Sequence, residues 1–475
     1  MRNKLIKKVT LALAAATTII TATQFTVQAE QRNSVAHPRT SYRLSFYNRH
    51  RRSYRVAGAL HFAHSKLHDV LLLTPFERHA KEDDKLYKEV LSQYNKPPRI
   101  EPTMELYAPY TARATWQLFR TIDSVHLLHE TTEDILADKD IAWSQKQKEL
   151  EKIYEYYKST YKDVALSPAP LDVTMRRAGV MMKPYFSLTR NYYPKNNNFF
   201  YAAHWWHPAI YESMMIGGND LEQDKMLNQM EDVFQNQVIP NPPKRMLLSR
   251  EGAPRYSRLS PETANVFDNL HMLHGITYDI FAYDGWTIKQ KRAELYRVLK
   301  ALGYQQGDEK LARKFTTPKP NFNPLAYDEW SKSADGSMTR MMMEMMQEMM
   351  PMMHASMNSG MQGNMNHDMN SPMASEMNGG MSQEMHQKMM AQLKMKLTPG
   401  IQSGEIPGSW MDAMKVLMPG MKMSPEAMEP GKINPMMVEA MLKGWQEKYG
   451  NLPDIESISM DSEPSAQDIL VQNQK

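Results

Sequence analysis

Four short segments of this 475-residue chain place two histidines three residues apart and an acid eight residues after the first. They read HFAHSKLHD from His61, HLLHETTED from His126, HWWHPAIYE from His204 and HMLHGITYD from His271. With 15 histidines in the chain, chance gives on the order of one such pair or fewer, so four that share an acid form an internal repeat. On an α-helix, residues i and i+3 project within about 60° of each other, and both imidazoles of a pair face one inter-helix space. Two facing pairs offer four neutral nitrogens, a ligand set for copper, zinc or iron. The candidate ligands are therefore His61, His64, His126, His129, His204, His207, His271 and His274. The acids Asp69, Asp134, Glu212 and Asp279 stand about 12 Å along the helix and about 80° round it from the first histidine, too far to share its ion. They are expected to accept a ring N–H from an antiparallel neighbour and so fix an imidazole tautomer. A competing reading needs no metal, only histidine–acid pairs satisfying one another across a bundle, and haem or another cofactor between the rings is a third.

The elements that must position these rings follow from the repeat. The first histidines are 65, 78 and 67 residues apart, and each segment is followed by a second, more charged helical stretch at 76–94, 143–161, 221–238 and 288–304. The pattern predicts an all-α fold of four αα-hairpins between residues 41 and 306, packed as two four-helix bundles or one helical array. Proline-rich links such as Lys96-Pro97-Pro98, Ser167-Pro168-Ala169-Pro170 and Asn241-Pro242-Pro243 separate the units. Pro208, directly after His207, should restrict or restart the third motif helix, since it brings no N–H. The aromatics Phe199, Phe200, Tyr201, Trp205 and Trp206 around it read as packing.

Residues 307–337 read as a linker marked by Pro318, Pro320, Pro324 and Gly336, and beyond it the composition changes completely. Methionines recur every fourth residue at Met341, Met345, Met349, Met353, Met357, Met361, Met365, Met369, Met373, Met377, Met381, Met385 and Met389. The residues between them are mostly Asn, Ser, Gly and Gln after Met353, poor helix formers with no partner surface. A four-residue step also drifts about 40° on a helix, so the sulfurs form no single stripe. Core packing therefore does not account for the array, whereas thioether coordination does. Thioethers suit Cu(I) and need no deprotonation, and His354, His367 and His386 among them add imidazoles for Cu(II) or a mixed site. A sacrificial oxidant sink or a plain tether is the rival reading. The segment 338–441, with its MxxxM register and Met421-Lys422-Met423, resembles the methionine-rich motifs of periplasmic copper-handling and copper-resistance proteins. That resemblance is compositional; it implies copper binding and carries no fold. The remaining residues, 396–475, read as a Pro/Gly-punctuated tail with short helices.

Location is read from the amino terminus. Arg2, Lys4, Lys7 and Lys8 precede an apolar run, and Val27-Gln28-Ala29 suits cleavage, the pattern of a secretory signal over residues 1–29. No later run is long and apolar enough for a spanning helix, so the mature chain is expected in the periplasm or secreted. The chain has 57 basic and 53 acidic residues, and removing the four bases of the leader leaves 53 of each. Without a concentrated positive field, nucleic acid is not an expected partner. With no cysteine, disulfides, thiolate metal sites and covalent c-type haem are excluded.

These readings converge on an extracytoplasmic metal-handling protein in which a disordered methionine arm captures Cu(I) and a histidine-rich helical body receives copper, zinc or iron. The expected partners are metal ions and another periplasmic metal carrier or oxidase. Two alternatives remain: a helical metallo-oxidoreductase that uses the His-x-x-His sites, and a scaffold whose histidines only pair with acids. The Glu-x-x-His of ferritin-like di-iron proteins is not the pattern here. No catalytic residue is identified from the sequence.

Overall fold

Each repeat folds as the expected hairpin: a long motif helix followed by an outer helix. The computed structural model describes residues 42–97, 111–179, 188–217, 220–244, 246–283, 286–312 and 322–332. The leader, the methionine register with His354, His367 and His386, and the tail lie outside the described residues. The motif helices are α1 (Arg51–Leu73), α3 (Trp116–Ala137), α5 (Pro194–Gly217) and α7 (Pro261–Ala282). The outer helices are α2 (His79–Asn95), α4 (Trp143–Thr160), α6 (Asp220–Val233) and α8 (Ile288–Leu302). No strand occurs among the described residues, only a single antiparallel bridge between Leu166 and Gly303.

Local chemistry starts several of these helices. Thr115 accepts the Leu118 N–H at the head of α3, and Thr287 with Gln290 forms a reciprocal capping box at the head of α8. Pro261 occupies the first turn of α7, where its missing N–H costs nothing. Pro208 is a different matter, because α5 runs through it without a break. The expectation of a restarted helix fails: the lost bond is only the one His204 O would have accepted, and the ring is accommodated by its neighbour. A Cβ built on Gly252 would come within 2.9 Å of Pro208 Cβ, so glycine there makes room for the proline.

The four motif helices form one central bundle, and the outer helices lie around it. α1 packs against α5 and α7, and α3 packs against the same two, so α1 faces α3 and α5 faces α7 across the bundle axis. Trp205 and Trp206 are wholly buried, as packing residues should be, with Trp206 Nε1 donating to Glu231 at 3.0 Å. Part of the expected linker also joins the body. The short helix Tyr327–Lys332 sets the Tyr327 ring 5.4 Å from Trp205, and Trp330 Nε1 donates to Glu251 at 3.1 Å. Residues 327–332 are thereby held against α5 and Glu251.

The outer helices do more than cover the bundle: each supplies one polar side chain to the carbonyls left open at the end of its motif helix. His79 reaches Thr74 O, Lys146 Nζ reaches Leu136 O at 3.1 Å and Asp138 O at 2.8 Å, Gln223 Nε2 reaches Met214 O, and Lys291 Nζ reaches Phe281 O at 2.6 Å. The two lysines also complement the negative end of the helix dipole.

The four repeat acids have a purpose other than the expected one. Asp134 accepts the backbone N–H of Phe46, Asp279 that of Thr189, and Glu212 that of Arg255. All three donors are second residues of short helices, Ser45–Arg49, Leu188–Tyr192 and Pro254–Leu259, that lead into motif helices. Asp69 instead takes the Arg113 guanidinium, just before α3. Asp69, Asp134, Glu212 and Asp279 thus dock lead-in segments, because their position one-third of a turn away from the histidines faces those segments. The pairing is reciprocal: the acid of unit one holds the lead-in to unit two and the reverse, and units three and four do the same. This exchange describes a pseudo-two-fold that swaps α1 with α3 and α5 with α7. Replacing Asp279 by Ala should strand the buried Thr189 N–H at a cost of roughly 1 to 3 kcal/mol. Thermal unfolding should then fall by several degrees with metal content unchanged; an equal loss of metal would place the acid in the histidine network after all.

Candidate metal centre

All eight motif histidines converge on the centre of the bundle and are buried. Across one diagonal the His61 and His126 rings lie 4.1 Å apart, and across the other His204 and His271 lie 3.9 Å apart. Along the sides, His64 meets His274 at 5.1 Å and His129 meets His207 at 4.9 Å. A ninth ring, His68, joins at 5.5 Å from His274.

Within this cluster, His64, His204 and His274 bring one nitrogen each to within 4.8 Å of one another. Helix geometry decides which nitrogens these are. His64 Nδ1 donates to Leu60 O at 2.6 Å, and His204 Nδ1 donates to Phe200 O at 2.7 Å, the carbonyls one turn earlier. A ring that donates through Nδ1 presents its Nε2 lone pair outward, so the backbone fixes the tautomer that a metal needs. His204 Nε2 and His274 Nδ1 are buried with no hydrogen-bond partner in the protein, as are His126 Nδ1, His129 Nε2, His207 Nε2 and His271 Nδ1.

The electrostatics keep the cluster neutral. Burial lowers His61 and His64 to about 4 and His68 to about 3, and drives His126, His129, His204, His207, His271 and His274 well below the usual imidazole range, with neighbouring rings adding to the effect. These rings carry no proton that a cation would have to displace at pH 7. A buried imidazole nitrogen left without a partner costs roughly 1 to 3 kcal/mol, and six such rings in one place are a poor structural network but a good ligand set. Comparison with protein-family models, with curated proteins and with solved structures finds no match to this chain.

Several residues at the centre were not singled out by the repeat. His68, Glu133, Tyr211 and Tyr278 all sit seven residues after the first histidine of their unit, and all are buried. Tyr211 hydroxyl pairs with His129 Nδ1, and Tyr278 hydroxyl donates to His64 O at 3.1 Å. Phe200 and Phe267, four residues before the first histidine of units three and four, pack on His64 at 5.2 Å and on His129 at 3.6 Å. Aligning the four segments beyond the shared acid reveals these positions: units three and four share Phe-x-x-x-His-x-x-His-x-x-x-Tyr, and units one and two do not. No helix among the described residues is long and apolar enough to cross a membrane.

Proposed function

We propose that this protein handles copper outside the cytoplasm, with a buried imidazole centre in the helical body and a thioether arm that captures the ion. The observation that carries the reading is the triad His64, His204 and His274, three buried nitrogens within 4.8 Å of one another. Three neutral imidazoles without a carboxylate suit copper or zinc better than iron, and copper binds such nitrogen donors more tightly than zinc does. The methionine register supplies the Cu(I)-selective element, and its tethering to the body raises the local concentration of the ion. The leader supports an oxidising compartment, where thioethers persist as ligands and free thiols do not.

The scaffold reading loses support from the acids, since Asp69, Asp134 and Glu212 bind lead-in segments. The enzyme alternative has one supporting feature, the buried Tyr211 phenol on His129. Sequestration or delivery is the stronger reading.

The arm is tested on the full chain. Replacing every methionine of residues 338–441 by leucine should abolish the uptake of several Cu(I) equivalents in competition with a Cu(I) chelator, while leaving body-bound metal in place. Equal Cu(I) uptake by both proteins would overturn the role given to the arm.

A further inference from the structure

The pseudo-two-fold that exchanges the lead-in segments also acts on the histidines. Exchanging unit one with two and three with four carries His64, His204 and His274 onto His129, His271 and His207. The ring separations agree: His64–His204 at 5.7 Å corresponds to His129–His271 at 5.8 Å, and His64–His274 at 5.1 Å to His129–His207 at 4.9 Å. His207 and His271 complete the second set at 5.8 Å, although its three nitrogens stand further apart than the 4.8 Å that holds those of the first. Its His129 Nε2, His207 Nε2 and His271 Nδ1 are buried and lack a hydrogen-bond partner in the protein.

We propose that His129, His207 and His271 form a second metal position beside the first, making the body a two-ion centre. This inference rests on reading His64, His204 and His274 as the first position. Rings of the two triads touch across one diagonal, His204 against His271 at 3.9 Å, so the two positions are neighbours in the buried centre of the bundle.

The two positions are chemically unequal. In unit one the seventh place after the first histidine is His68, whose ring lies 5.5 Å from His274. In unit two that place is Glu133, a buried acid whose charge is felt by the Tyr211 phenol bonded to His129. An additional imidazole stands beside the first triad alone, so the first position favours copper more strongly than the second does.

Titration with Co(II) of the full-length, tag-free protein in which His354, His367 and His386 of the arm are replaced by alanine tests this, because thioethers are poor ligands for Co(II) and the arm then stays silent. That parent should bind two equivalents; His207→Leu and His274→Leu in it should each bind one, and the double variant none. Helicity measured in parallel identifies a variant that fails to fold, and His207→Gln, which keeps a polar side chain of similar length, then replaces it. One equivalent in the parent, lost in His274→Leu and kept in His207→Leu, would overturn the second position and leave the first standing. No bound ion in the parent would overturn the proposed centre as a whole. Two ions retained in both single variants would place them outside the triads and contradict both readings.

Discussion

Metal-free protein brought from pH 7 to between pH 6 and 4 is expected to lose its helical body, and metal-loaded protein is expected to keep it through the same range. The sign follows from the direction of the histidine shifts. In the unfolded chain a histidine gains its proton near pH 6.5, whereas burial holds His61 and His64 to about 4, His68 to about 3 and the other central rings well below the usual imidazole range. Between these limits the unfolded state binds more protons, so stability falls as pH falls. Each such ring contributes about 1.4 kcal/mol per pH unit, or roughly 3 kcal/mol for a ring held at about 4. Buried acids act oppositely: Asp134 is raised to about 8, Glu231 and Asp268 to about 7, and Asp69, Asp83 and Glu212 are raised as well. These six gain relative stability on acidification, but nine rings outnumber them, and their effect ends near pH 4, where the unfolded acids also protonate. Against a typical total of about 5 to 15 kcal/mol, the net loss suffices to unfold the body. Bound metal keeps the imidazoles unprotonated and shifts the transition to lower pH. Far-ultraviolet circular dichroism against pH, with chelator and with metal, measures both. Coincident curves would mean that no ion occupies the rings.

His274→Leu is expected to leave the metal-free protein as stable as the wild type or more so, and to remove the stabilisation that metal gives. The His274 ring leaves Nδ1 buried and without a partner, and an apolar side chain of similar size carries no such penalty of roughly 1 to 3 kcal/mol. An ion at a hundredfold excess over its Kd stabilises the folded state by about 2.7 kcal/mol. For a body of this size that is on the order of 5 to 10 °C in the melting temperature, and losing the ligand should erase most of it at the first position. Four melting temperatures, wild type and variant with chelator and with copper, separate the cases. If the histidines were a structural network, the variant would lose stability equally in both conditions. Trading stability for a ligand set is common at functional sites.

How much of this was legible before the fold is visible residue by residue. The helical period and the recurring His-x-x-His placed all eight rings correctly on motif helices, and the charge of the second stretches placed the outer helices within a few residues of their ends. Convergence of all four pairs at one centre did not follow, because the repeat suits two separate bundles or one array equally well, and only the packing of α1 and α3 against both α5 and α7 decides it. The role of the acids did not follow either. Spacing says where Asp134 points on its own helix, but its partner, the Phe46 amide, lies 88 residues away, and only tertiary packing brings them together. Pro208 misled for a related reason: a local rule about a missing N–H gave way to the space left by Gly252 on a different element. His68, Glu133, Tyr211 and Tyr278 were legible in principle, but they differ in type at one shared position, and a search for identical residues passes over them.

X-ray absorption at the copper edge tests the central claim most directly, applied to tag-free full-length protein loaded with copper and then stripped of arm-bound Cu(I) by a chelator. The structure predicts a shell of nitrogen scatterers at about 2.0 Å with the outer-shell pattern of imidazole rings, present in the wild type and lost when His64, His204 and His274 are all replaced by leucine. A spectrum made only of sulfur scatterers, or an imidazole signal that survives that triple replacement and the loss of His129, His207 and His271 as well, would contradict a metal centre in the bundle.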